Sequence, residues 1–195
     1  MRLPGYDYST PGFYFVTLVT EHRENLFGSV NEGEMNLSEY GVMVARNWTT
    51  LPYRYHTIRL DEFVVMPNHL HGIIEIRNTS GGLDRAVPAM VPLHDDGPLP
   101  VGVGFTSIEK PTPTGNDHID AHSTSVRKRR GLPEIIRGFK TSSATSINDL
   151  RGSTGARVWQ RNYYDRIIKD EIDLERTRQY IRNNPKNWTA DSNNP

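Results

Sequence analysis

Two histidines one residue apart, His69 and His71, lie in the run Met66-Pro67-Asn68-His69-Leu70-His71-Gly72-Ile73-Ile74, whose apolar, β-branched composition reads as a buried strand. Successive strand side chains alternate faces, so both imidazoles project to one side and Leu70 to the other. Two converging imidazoles can hold one divalent cation; the plain alternative is a pair of hydrogen-bonded strand histidines. A second pair stands near the carboxyl end, in the helical stretch Leu174 to Pro185. There Tyr180 and Asn184 are four residues apart and lie one turn above each other on the same face. Read alone, Tyr180 is a packed tyrosine with its hydroxyl bonded. His22, His56, His94, His118 and His122 have no partner at ligand spacing.

The elements that must position these groups follow from periodicity and punctuation. Gly12 to Thr20 is aromatic and β-branched and reads as a first strand. Ser38 caps a helix to about Leu51, with Tyr40, Val44, Trp48 and Leu51 on one stripe. Ile58 to Met66 and His69 to Arg77 form a hairpin about the Pro67-Asn68 corner. A helix from Leu132 to about Leu150 buries Ile135, Ile136, Phe139 and Ile147, and Val158 to Ile168 reads as a fourth strand. Asp170 caps a last helix, Glu171 to about Asn183, which Pro185 ends. The order strand, helix, hairpin, helix, strand is that of an α+β, ferredoxin-like split β-α-β-β-α-β antiparallel sheet with a C-terminal helix appended. Two helices cover one face, which leaves the other for the histidines with the last helix laid across them.

The chain of 195 residues is sized for a single domain, 1–195. Residues 79–126 hold six Pro and six Gly without periodicity, which predicts a flexible insertion. With no cysteine, disulfides and thiolate metal sites are excluded, so a metal must be held by His, carboxylate, amide or water. No apolar run reaches membrane-spanning length and no secretory pattern opens the sequence, so a cytoplasmic location and no membrane partner are expected. The zero net charge conceals a split. Residues 126–188 carry fifteen Lys and Arg against seven Asp and Glu, making this third the natural polyanion face.

The segments VVMPNHLHGII, VWQRNYYDRII and YIRNNP together resemble the single-tyrosine HUH transposases, most closely the REP-associated tyrosine transposases of the insertion-sequence-200-like group. HUH denotes two histidines flanking a bulky hydrophobic residue. The resemblance spans Gly12 to Trp188 apart from the insertion. It departs at Pro11-Gly12-Phe13-Tyr14, where the REP-pairing subgroup carries Gly-Thr-Trp. By position it implies His69, His71 and Asn184 as metal ligands, Tyr180 as nucleophile, Mg²⁺ or Mn²⁺ as cofactor, single-stranded or hairpin DNA as partner, and a monomer or homodimer. The implied reaction is DNA transposition: cleavage and rejoining of a single strand through a covalent 5′-phosphotyrosine.

That chemistry suits these groups. A phosphodiester repels nucleophiles, and neutral imidazole and amide ligands leave a cation's charge free to offset it. A phenol of pKa near about 10 needs such a cation and basic neighbours to ionise. Single strands are held by basic grooves with aromatic platforms, and the candidates are Arg137, Lys140, Arg161, Tyr163, Tyr164 and Arg166. Two other functions compete: a hydrolase with a further carboxylate, and a non-cleaving DNA-hairpin-binding regulator derived from a transposase. Glu75 shares the strand face of His71 but lies about 13 Å along an extended strand, too far for the same ion.

Overall fold

The computed structural model describes residues 5–78 and 130–194; the insertion expected at 79–126 lies outside them. In chain order the elements are β1 (Gly12–Val19), β2 (Gly28–Asn31), β3 (Glu34–Leu37), α1 (Glu39–Thr49), α2 (Leu51–Arg54), β4 (Ile58–Met66), β5 (His69–Ile76), α3 (Leu132–Leu150), β6 (Tyr164–Ile168) and α4 (Glu171–Asn183). Short 3-10 turns lie at Glu21–Arg23 and Pro185–Ala190. No described helix is long and apolar enough to cross a membrane.

β4, β5, β1 and β6 form, in that order, one antiparallel sheet, the arrangement of a ferredoxin-like split fold. The capping signals act as read: the Ser38 hydroxyl accepts the Gly41 amide at 3.2 Å, and the Asp170 carboxylate accepts that of Asp173 at 2.8 Å. The β2–β3 hairpin was not anticipated, since four-residue strands such as GSVN and EMNL carry too little alternation to register. The fourth strand is shorter than expected. The continuous pairing with β1 covers only Tyr164–Ile168; just before it the Lys140 ammonium takes the carbonyls of Gln160 and Asn162 at 2.8 Å each. Trp159 bridges Thr20 in antiparallel sense, with the Gln160 amide donating to Val19 O at 2.9 Å and the Glu21 amide to Val158 O at 2.8 Å, so the segment before β6 meets the strand edge in an isolated bridge separated from the main ladder.

Strand alternation divides the core in two. Tyr14, Val16 and Leu18 of β1 and Leu70, Ile74 and Ile76 of β5 pack with Val44 and Trp48 of α1 and Ile135 and Phe139 of α3. The Trp48 indole meets Phe139 edge-on at 5.1 Å and lies directly over Gly72, where any Cβ would penetrate the ring. Glycine in this strand is therefore a packing requirement. Gly72→Ala is expected to cost about 1–3 kcal/mol, read as a lowered urea midpoint with unchanged slope. Phe15, Ile73 and Ile168 face the other way, onto Leu174 and Ile181 of α4. His69 and His71 share that second face.

Candidate functional site

The first two residues of one face of β5 are His69 and His71, both buried, with ring centroids 4.4 Å apart. Their Nε2 atoms stand 3.0 Å from each other. Each Nδ1 has a protein partner: Asn68 Oδ1 at 2.9 Å from His69, and Thr17 Oγ1 at 2.9 Å from His71, across the β1–β5 register. Phe15 stacks on His71 at 5.3 Å. Burial pushes His71 down to about 3, with His69 adding repulsion, and it pushes His69 down to about 4 against the attraction of Asp191. Both rings are neutral at neutral pH. Neutral imidazoles are the form that ligates metals.

Crossing this face, α4 carries Tyr180 to within 3.2 Å of His71 Nε2 through its hydroxyl, with the phenol half-exposed and edge-on to Phe15 at 6.0 Å. Burial and the Asp191 charge raise the Tyr180 pKa, so the protein alone disfavours phenolate; a cation at the histidines would favour it. One turn on, Asn184 is buried, donates to Asp191 Oδ2 at 3.1 Å, and leaves its own Oδ1 buried without a hydrogen-bond partner. A buried acceptor left unpaired is costly, and a ligand cation would satisfy it.

Asp191 was not among the expected residues. Past Pro185–Ala190 the chain folds back over the histidines: Trp188 lies 5.8 Å from the His69 ring, and Asp191 Oδ2 stands 4.0 Å from His69 Nε2. Ligand atoms of His69, His71 and Asp191 all lie within 4.8 Å of one another. Burial works to raise the Asp191 carboxyl, but the Asn193 amide, donating at 2.6 Å, and the Asn184 side-chain amide, donating at 3.1 Å, help hold it below its ordinary value. Nothing in its spacing could have found it. A lone Asp beyond a helix-terminating proline becomes a ligand only when the tail returns.

No family model matches the sequence. An uncharacterized protein of Haemophilus influenzae (strain ATCC 51907 / DSM 11121 / KW20 / Rd) is 34% identical over 191 residues, spanning 98% of this chain and 89% of its own length. The chain belongs to the family of that protein. Among solved structures, a REP-associated tyrosine transposase bound to a REP hairpin aligns with 96% of this chain and 74% of its own at 15% identity, with a TM-score of 0.50. The fold is that of the REP-associated tyrosine transposases.

Within this transposase fold the expected DNA-contacting residues separate. Arg166 holds α4 to β6, donating to both Asp173 oxygens at 2.6 and 2.7 Å and to Thr177 at 2.8 Å. On the opposite flank a bulge between Leu60 and Phe63 presents Asp61 and Glu62 together. Arg178 bonds both Asp61 oxygens at 2.9 and 2.8 Å, and Arg182 bonds Glu62 at 3.0 and 2.7 Å. With only Leu174, Thr177 and Ile181 buried, α4 depends on these ion pairs for its seating. Lys140 lies over the Tyr163 ring at 5.5 Å while holding the loop before β6. Arg137 is exposed on α3, which covers the opposite sheet face. Tyr163 and Tyr164 border a cleft of about 380 Å³ that also contains Thr17, His71 and Tyr180, and Arg161 borders a second of about 360 Å³ with Arg157 and Trp159.

Proposed function

We propose that this protein is a metal-dependent single-strand DNA transposase that cuts and rejoins hairpin or single-stranded DNA through Tyr180. One observation carries the reading: in a single chain the Tyr180 hydroxyl lies 3.2 Å from an imidazole nitrogen that itself faces a second imidazole at 3.0 Å. A monomer suffices for this juxtaposition. The donor set fits a divalent oxygen-and-nitrogen-loving cation, Mg²⁺ or Mn²⁺: two neutral imidazoles, the Asp191 carboxylate and the unpaired Asn184 Oδ1. Bound there, such an ion supplies Lewis acidity to the phosphate and lowers the cost of phenolate.

The chain's own groups do the rest. Phe15 and His71 fix the Tyr180 ring from two sides, which orients its oxygen into the cleft. Tyr164, half-exposed beside Tyr180 in that cleft, offers a face on which a base can stack; Tyr163 lines the same cleft and Lys140 holds its loop, Arg161 borders the second cleft and would meet a longer strand there, and Arg137, on the far face of the sheet, could reach DNA only beyond the cleft. The phenolic oxygen forms a bond to phosphorus as the bond from phosphorus to the 3′ oxygen breaks. The phenol's proton is lost to solvent and the departing 3′ oxygen gains one. The product is a 5′-phosphotyrosine and a free 3′-hydroxyl, and reversal reseals the strand without ATP.

Labelled single-stranded hairpin DNA incubated with the protein and Mn²⁺ is expected to give a covalent protein–DNA band on a denaturing gel, lost on chelation and in Tyr180→Phe. Cleavage with no protein-linked product would replace this reading with a hydrolytic nuclease. Tight binding without cleavage would replace it with a regulatory hairpin binder.

A further inference from the structure

We propose that Asn68 is a positioning residue of the metal centre: it decides which nitrogen of His69 is bare and ties the Asp191-bearing tail to the same strand. This rests on the metal-dependent reading above. Asn68 follows Pro67 at the β4–β5 corner and is fully buried. Its amide nitrogen donates to two main-chain carbonyls, Arg23 O at 3.1 Å and Asn193 O at 2.7 Å. Carbonyls only accept, so Nδ2 must face them and the amide cannot be turned over. Oδ1 is thereby aimed at His69 Nδ1, 2.9 Å away.

An amide oxygen also only accepts, so the hydrogen of neutral His69 sits on Nδ1. Its Nε2 is then a lone pair, pointing at His71 Nε2 at 3.0 Å with Asp191 Oδ2 4.0 Å away. His71 has no such lock. Its Nδ1 meets the Thr17 hydroxyl, which donates or accepts by rotating, so either tautomer is accommodated. In the metal-free protein the network closes one way: Thr17 donates to His71 Nδ1, His71 Nε2–H donates to His69 Nε2, and the Tyr180 oxygen, 3.2 Å from the same His71 nitrogen, can only share that hydrogen as an acceptor. The other Asn68 bond acts on a different ligand. Asn193 O is two residues beyond Asp191, and the Asn193 amide in turn holds the Asp191 carboxylate at 2.6 Å. One side chain therefore orients an imidazole ligand and docks the peptide that delivers a carboxylate.

Nitrogen chemical shifts of isotope-labelled histidines in metal-free protein read the tautomer directly, and electron paramagnetic resonance of free Mn²⁺ reads affinity without any DNA. Wild type is expected to hold His69 as the Nδ1–H form. Asn68→Asp, which keeps an oxygen for His69 Nδ1–H but loses the donor to Arg23 O and Asn193 O, should retain the tautomer while still weakening Mn²⁺ binding through the undocked tail. Asn68→Ala should mix the tautomers and weaken Mn²⁺ binding about 10- to 100-fold. His69 found as Nε2–H in wild type overturns the inference even should Asn68→Ala not fold. Unchanged Mn²⁺ affinity in a folded Asn68→Ala overturns it while leaving the metal reading intact. A wild type that binds no Mn²⁺ sinks the metal reading and with it the positioning role.

Discussion

Tyr180→Phe is expected to lose the covalent DNA adduct completely while keeping the wild-type unfolding midpoint. The two outcomes separate because the hydroxyl contributes little to folding. The residue is 48% exposed and its bond to His71 Nε2 is a 3.2 Å contact, so the loss in stability should stay within about 1 kcal/mol. The phenyl ring still packs edge-on against Phe15 and His71, and α4 keeps its ion pairs to Asp61, Glu62 and Arg166. The reaction has no substitute for the oxygen, because a phosphotyrosine needs that atom as its bridge. Hairpin binding measured by anisotropy should remain within about threefold of wild type, since a phenyl face stacks nearly as a phenol does. An adduct persisting in the variant would place the nucleophile elsewhere. A large drop in the unfolding midpoint would make Tyr180 a packing residue first.

Stripped of divalent ions, the protein is expected to lose several kcal/mol of stability as pH falls from about 7 to about 4. Histidines in an unfolded chain take up a proton near their ordinary value of 6.5, whereas burial holds folded His71 to about 3 and lowers His69 as well. Between those values the unfolded state carries more protons, so stability is full above the unfolded pKa and declines as pH drops toward the folded one. Each such group costs about 1.4 kcal/mol per pH unit across the window. Urea melts in chelator at stepped pH measure the slope directly. His69→Gln with His71→Gln should flatten the profile below about pH 6.5, and added Mn²⁺ should raise the midpoint more at neutral than at acid pH, because protons and metal compete for the same nitrogens. A wild-type profile already flat from about pH 7 to about pH 5 would mean that the imidazoles are open to water.

The histidine pair was legible because a strand's period is two, so His-x-His on any buried strand must share a face. The same logic placed Tyr180 over Asn184, as a helix stacks residues four apart. Caps at Ser38 and Asp170, the Pro67-Asn68 corner and the stop at Pro185 were likewise local signals with local causes. Arg166 illustrates the limit. Its charge and its place beside two tyrosines suggested a phosphate contact; what spacing could not show is that, opposite Phe15 in β6, it also pairs with Asp173 and Thr177 of α4. Asp61 and Glu62 gave no signal at all, because only the bulge turns consecutive acids toward the same helix.

By itself, then, the sequence determined the three long helices, the four strands of the main sheet, their order and which faces carry imidazole and phenol, all of which follow from periodicities a few residues long; the short β2–β3 hairpin and the true start of β6 did not. Tertiary structure alone decided that Tyr180 meets His71 across 109 positions, that Asn68 holds His69, and that the tail brings Asp191 to both. The physical reason is that those meetings depend on strand order, on ion pairs seating α4 and on a chain end folding back. Each is a balance of contacts between residues remote in sequence, and no local pattern records it.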